Sequence, residues 1–110
     1  MQLRPPVGEP SEAFQQQAAA AMTAFAARPG FLGGKLARAA DDPGAWAFVT
    51  EWRSVGAYRR ALGGYEVKLA ATPLMAHALD QPSAFEVLLS VSPDGAHVAR
   101  ESDRADDADA

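Results

Sequence analysis

Large side chains stand at every second position along residues 46–53 of this 110-residue chain. The alternating set is Trp46, Phe48, Thr50 and Trp52, with Ala47, Val49 and Glu51 between them. Successive side chains of a β-strand point to opposite faces, so the first set shares one face. The pattern predicts a strand whose first face packs against helices and lines any cavity beneath them.

A second strand is expected just before this one. Residues 31–39 are rich in aliphatic and aromatic side chains, and the segment Asp42-Pro43-Gly44 separates them from Trp46. Pro pre-sets the backbone of one turn position, and Gly accepts a positive φ at another. The two strands are therefore predicted to form a hairpin.

Helical periodicity comes before the hairpin. Apolar residues recur three or four positions apart from Phe14 to Phe25, and Pro29-Gly30 ends the pattern. This spacing predicts a helix over residues 12–27, with Ser11 as its N-cap.

Two helices and a strand are expected after the hairpin. Ser54 suits the N-cap of a short helix, which Gly63-Gly64 ends. A second helix begins near Tyr65, and Thr72-Pro73 predicts a kink or a division into two pieces, because Pro suits the first turn of a helix. Residues Phe85–Ser90 are apolar on both faces apart from Glu86, which is typical of a strand covered on both sides.

These elements make an α+β protein with a ferredoxin-like β-α-β-β-α-β order and an antiparallel sheet, provided that a strand precedes Ser11. Only residues 2–4 are free to form it, since Pro5 and Pro6 cannot donate hydrogen bonds to a sheet. The first strand is expected to be very short or missing. A truncated start of the chain is one explanation.

Composition narrows the class of protein. Residues 1–93 hold 8 basic and 8 acidic side chains, whereas residues 94–110 hold 2 and 6. We expect one folded domain over residues 1–91 and an acidic, disordered and dispensable tail over residues 92–110.

A neutral domain lacks the clustered Lys and Arg that nucleic acid requires. No stretch is long and apolar enough to suggest a membrane span, and the absence of cysteine is typical of a cytoplasmic protein and excludes thiolate chemistry.

Several short segments resemble those of the antibiotic biosynthesis monooxygenase family, over about residues 11–90. They are Arg28-Pro29-Gly30-Phe31, Asp42-Pro43, Thr50-Glu51-Trp52, Ala57-Tyr58-Arg59-Arg60 and Pro82-Ser83-Ala84-Phe85-Glu86-Val87. The resemblance implies a dimeric α/β barrel, in which two chains associate through their sheets.

The resemblance also implies a site. Pocket residues known in the family are a Trp and an Asn on the second hairpin strand, a Tyr on the next helix and a later Arg. Trp52 and Tyr58 match the Trp and the Tyr and are the candidate catalytic residues, whereas Phe48 stands where the Asn would be and no Arg matches clearly. The rest of the predicted substrate pocket consists of Trp46, Phe48, Thr50 and Leu62.

The chemistry implied is oxygenation of a small hydrophobic aromatic compound (a phenol, quinol or anthrone) by dioxygen, with no cofactor and no metal. A Trp N–H and a Tyr O–H would stabilise the substrate anion where water is excluded. Trp and Tyr are also common core residues, so a purely structural role for Trp52 and Tyr58 stays open.

Two other functions remain open on the same fold. One is a non-catalytic, small-ligand-binding or stress-related dimer, since a fold alone does not decide function. The other is a haem-degrading relative, although its Trp would fall at Ala61 and its axial His near residues 71–73, about one turn before His77. Arg59 and Arg60 directly follow Tyr58 and are expected to face solvent.

Overall fold

The computed structural model describes residues 1–102. It contains three helices and five strands in the order β1 (Gln2–Leu3), α1 (Ser11–Ala26), β2 (Phe31–Arg38), β3 (Trp46–Trp52), α2 (Val55–Leu62), α3 (Tyr65–Met75), β4 (Leu89–Val91) and β5 (His97–Ala99). The main sheet is antiparallel with strand order β1-β3-β2, and β4 pairs with β5 in a separate hairpin. The architecture is α+β and ferredoxin-like, and residues 1–102 close no barrel within one chain.

The predicted hairpin of β2 and β3 is confirmed, but Gly44 does not take the positive φ expected of it. Its register places Gly34 opposite Thr50 and Leu36 opposite Phe48, with a bulge between Phe31 and Gly33. In the connecting turn the Gly44 amide donates to the Asp42 side chain at 3.1 Å. This bond satisfies a turn amide that the sheet cannot pair.

The first strand is very short, as the two prolines predict, but it is present. Gln2 and Leu3 pair with Ala47 and Trp46 of β3. On the outer edge of β1, the Leu79 amide donates to the Gln2 carbonyl at 2.9 Å. The segment after α3 therefore runs antiparallel to β1, where a four-stranded ferredoxin-like sheet carries its last strand.

The core lies between the helices and one face of the sheet. The largest fully buried side chains are those of Leu3, Phe14, Val67 and Leu74. On α1 the buried residues are Phe14, Ala18, Ala21 and Phe25, at helical spacing. Small alanines on this stripe let α1 approach α3 and the sheet closely. No helix within residues 1–102 is both long enough and apolar enough to cross a bilayer.

Two expectations for the helices are corrected. Ser11 is the first helical residue, and Pro10 occupies the N-cap position without a side-chain hydrogen bond. Helix α3 is one continuous helix with Pro73 inside its last turns. Near the C-terminus of a helix the missing Pro amide removes only one bond, so the helix need not divide.

The last strand also differs from the prediction. Residues 82–88 carry no regular secondary structure, and only Leu89 and Ser90 of the predicted strand Phe85–Ser90 belong to β4. The partner strand β5 lies in the predicted acidic tail, so the boundary expected between residues 91 and 92 falls inside a hairpin. Residues 103–110 of that tail lie outside the described residues.

Candidate functional site

A layer of aromatic rings fills the space between α1 and the end of β3. The indole of Trp52 lies 5.3 Å from the ring of Phe31 and 5.9 Å from that of Phe25, both edge-on. The ring of Phe48 packs against Phe25 at 5.8 Å. Such pairs stabilise beyond their buried area by about 0.5–1.5 kcal/mol each. The predicted face of β3 therefore points towards the helices, and Val49 between these residues is exposed on the other face.

The polar group of Trp52 is bonded within the chain. Its indole Nε1–H donates to Thr50 Oγ1 at 2.8 Å. Thr50 is the next residue but one on the same strand and the same face. The Thr50 hydroxyl can still donate a hydrogen bond to another group, because an oxygen that accepts from Trp52 keeps its own proton.

Tyr58 completes this end of the site from α2. Its ring centroid lies 6.1 Å from that of Trp52. Burial raises the pKa of the Tyr58 phenol, so the hydroxyl stays protonated and able to donate at neutral and moderately alkaline pH.

Two local features hold α2 in place. Ser54 caps the helix as predicted, because its Oγ accepts from the Ala57 amide at 3.1 Å. Gly30, at φ +90°, lets the chain before β2 pass so close that an added Cβ would lie 2.6 Å from the Ala57 Cβ. A side chain at residue 30 would push α2 away from Trp52.

The structure does not bring all of the predicted pocket residues together. Trp46 lies at the opposite end of β3 from Trp52, about 20 Å away along the strand at ~3.3 Å per residue. Its ring packs against Phe14 at 5.1 Å, and the Arg38 guanidinium stands 5.3 Å from the ring centroid. Leu62 packs at the edge of the apolar core. Phe48, Thr50, Trp52 and Tyr58 form the compact group, and Trp46 belongs to a separate surface.

Sequence reasoning missed one residue at this site. A Cβ built on Gly34 would clash with Sδ of Met22 and lie 2.9 Å from its Cε. Met22 reaches down from α1 into the space that Gly34 leaves on the helix-facing side, opposite Thr50. The signal was the pair Gly33-Gly34 inside a strand, which often marks a close approach by another group.

Two open clefts lie away from Trp52 and Tyr58. One, of about 710 Å³, runs between α1 and α3 and is lined by alanines together with Tyr65, Leu69 and Arg28. The other, of about 560 Å³, lies between the loop after β1 and the β2–β3 turn and includes Phe14 and Trp46.

His77 has a polar partner in the fold. Its Nε2 lies 3.5 Å from Glu9 Oε2, and the imidazole packs 6.3 Å from the ring of Phe14. Within residues 1–102 no three His, Asp or Glu side chains cluster in a way that would hold a metal ion.

The chain is similar to known proteins both in its sequence family and in its fold. The family described as antibiotic biosynthesis monooxygenase matches residues 3–72, well over half of the chain. A comparison with curated protein sequences finds no match. SnoaB, a cofactor-independent oxygenase from Streptomyces nogalater, is 28% identical in a crystal structure of a mutant form, with a TM-score of 0.61 over 69% of this chain and 76% of that one.

Two more distant structures share the fold. A candidate antibiotic biosynthesis monooxygenase from Nitrosomonas europaea has a TM-score of 0.60 at 14% identity, covering 74% of this chain and 76% of its own. A similar candidate from Chloroflexus aurantiacus has a TM-score of 0.59 at 22% identity, covering 73% and 80%. With the family match spanning β1 to α3, this chain belongs to the antibiotic biosynthesis monooxygenase family.

Proposed function

We propose that this protein is a cofactor-independent monooxygenase that acts on a small hydrophobic aromatic compound bearing a phenol, quinol or anthrone group. The observation that supports this most is the grouping of three polar side chains, Thr50, Trp52 and Tyr58, at one end of an otherwise aromatic layer. A site of this kind offers hydrogen-bond donors to an oxygen of the substrate and apolar surfaces to its rings.

The proposed reaction needs only the substrate and dioxygen. Loss of a proton to solvent gives an anion whose electrons reduce dioxygen, a carbon–oxygen bond forms at the activated ring carbon, and a proton taken back from solvent completes the hydroperoxide. The resulting peroxide loses water, so that one oxygen atom stays in the quinone product and the other leaves in the water. The substrate supplies all four electrons.

The side chains have separate roles in this proposal. The Tyr58 hydroxyl, kept protonated by burial, donates to the oxygen on which the anion's charge concentrates. The Thr50 hydroxyl is a second donor, and Trp52 orients it through the 2.8 Å bond. The rings of Phe25, Phe31 and Phe48 keep water away, which strengthens both donors.

We further propose a homodimer that forms through the sheet. Among residues 1–102 the face of the sheet opposite the helices is left open, and Leu32 and Val49 are exposed on the hairpin. The C-terminal arm, defined as residues 82–91, exposes an apolar set that its own chain does not cover: Phe85, Val87, Leu88, Leu89 and Val91. Packing arm and sheet of two copies together would remove both surfaces from water. Composition favours the cytoplasm as the location.

A non-catalytic ligand-binding dimer is the second candidate. One observation favours it, namely that the Trp52 N–H is already bonded within the chain and is not free for a substrate. The haem-degrading alternative draws less support, since the His77 imidazole is turned to Glu9.

Oxygen consumption decides between the two main candidates. Purified protein would be mixed with a panel of anthrones, naphthols and quinols, without added metal or flavin and with a chelator present. A monooxygenase consumes one dioxygen for each quinone formed on at least one substrate. Tight binding of panel members without oxygen uptake above the rate in buffer would contradict catalysis and favour the binding protein.

A further inference from the structure

The space over Gly34, at the edge of the aromatic layer, is filled by the flexible side chain of Met22. Gly34 contributes no side chain to the helix-facing side of β2, and the thioether of Met22 occupies the volume instead. Met22 is only partly buried at the edge of the core. An unbranched thioether chain changes conformation at low cost and commonly fills irregular gaps.

This space borders the polar group of the site. Gly34 and Thr50 are direct partners in the β2–β3 register. The Thr50 hydroxyl, which accepts from Trp52, therefore faces the region that Met22 fills. If the methionine swings out, an aromatic ring can lie over Gly34 with its oxygen within reach of Thr50.

We propose that Met22 is the specificity-determining residue of this site. In the free protein its side chain fills the space that the ligand's ring occupies in the complex. A bound aromatic compound displaces this side chain and forms a hydrogen bond with the Thr50 hydroxyl. The inference rests on the proposed aromatic substrate but not on its oxidation. Gly34 has no side chain that could limit the size of the ligand. The size of the side chain at residue 22 therefore sets how many fused rings the site accepts.

The test uses 1-naphthol as the probe on protein labelled with ¹³C at the methionine methyls. The chain has three methionines. The Met22 signal is assigned by its loss in Met22→Leu. It is expected to shift on addition of 1-naphthol, because the ring current of an aromatic ring changes the magnetic field at a methyl group that lies against it. The Met75 signal is the internal control, since that residue is exposed on α3. An unchanged Met22 signal at saturating 1-naphthol would overturn the proposal.

Affinity in size variants gives the second readout. Met22→Ala should bind a three-ring phenol about tenfold more tightly than the parent, and Met22→Phe should bind it at least tenfold more weakly, while Met22→Leu stays within about threefold. Thr50→Val should weaken 1-naphthol binding about fivefold or more, and Thr50→Ser should restore it. Calorimetry measures each affinity, and circular dichroism confirms that each variant is folded.

The outcomes separate this inference from the proposed reaction. Binding that follows the size of residue 22 without any oxygen uptake would refute the oxygenase and leave the role of Met22 standing. Oxygen uptake that is indifferent to residue 22 in folded variants would refute the role of Met22 alone. Absence of 1-naphthol binding in both the parent and Met22→Ala would refute the aromatic ligand itself.

Discussion

The indole N–H of Trp52 is bonded to the hydroxyl of Thr50, two residues earlier on the same face of β3, at 2.8 Å. A bonded N–H is not available to a substrate at the same time. In the proposed site the two residues would therefore act as a unit, in which Trp52 positions the hydroxyl and Thr50 presents it to the substrate.

Removing either member of this unit should lower turnover while the protein stays folded. Trp52→Phe keeps most of the ring volume and removes the N–H, and Thr50→Val keeps the shape and removes the hydroxyl. Each single variant should lose turnover by about tenfold to a hundredfold. If the two residues act together, the double variant should lose no more than the worse single variant. Oxygen uptake normalised to folded protein measures this, and losses that multiply would contradict a shared role.

Tyr58→Phe should reduce turnover more severely, because in the proposed reaction the Tyr58 hydroxyl donates directly to the substrate oxygen. Loss of one donor to a developing oxyanion costs about 2.7–4 kcal/mol in comparable sites, or roughly a hundredfold or more in rate. Tyr65→Phe removes an exposed hydroxyl on α3 and is the matched control. Equal rates in parent and Tyr58→Phe would exclude the proposed role of this phenol.

The raised pKa of Tyr58 also predicts how stability depends on pH. The unfolded phenol titrates near pH 10.0, and the folded one above it. The neutral phenol therefore contributes fully to the free energy of unfolding below about pH 10. This contribution is lost as the pH rises through the pKa of Tyr58 in the folded state. Urea unfolding from about pH 9 to pH 11 should show a steeper loss of stability in the parent than in Tyr58→Phe. Parallel curves would show that Tyr58 titrates alike in both states.

Gly30→Ala should destabilise the fold through α2. The residue has φ +90°, which costs an L-residue about 1–2 kcal/mol, and the added Cβ would crowd Ala57 at 2.6 Å, which adds ~1–3 kcal/mol. Gly8→Ala is the control, because Gly8 has φ +94° but an open space around it. Urea denaturation of both variants separates backbone strain from crowding, and equal losses would argue against the close approach to α2.

Light scattering at micromolar concentration is expected to give twice the mass of one chain. A mass near 11.6 kDa would contradict the dimer. Phe85→Ser in the C-terminal arm should weaken association tenfold or more, since that side chain is 81% exposed in the single chain. Tyr65→Ser removes an aromatic ring that is 74% exposed on α3 and should leave the mass unchanged.

Removing residues 95–110 is expected to leave the melting temperature and the dimer mass unchanged. Strand β5 is exposed throughout and buries no core residue. A second truncation, after Ser102, keeps β5 and removes only the last eight residues of the chain. A loss of stability in the longer deletion alone would show that the β4–β5 hairpin contributes to folding or association.

Local patterns of the sequence were sufficient to predict α1, the β2–β3 hairpin, α2 and the helix-facing side of β3. Each depends on neighbours within a few positions: a repeat of two or of 3.6 residues, a Pro-Gly turn, or a Ser cap such as that of Ser54. The candidate residues Trp52 and Tyr58 were identified differently, through short segments that resemble those of a family. Their roles stay predictions.

Tertiary structure decided what depends on distant partners. The two-residue strand β1 forms because β3 and the segment after α3 bond to its backbone on opposite sides, and Leu3 is thereby held fully buried in the core. Residues 82–88 form no strand of either described sheet, although their apolar side chains suited one. The Trp52–Thr50 bond depends on a rotamer that packing selects, and Met22 fills the space over Gly34 only because α1 crosses β2 at that point. Periodicity carries no information about such pairings, since they follow from the volumes and bonding groups of residues that meet only in the folded chain.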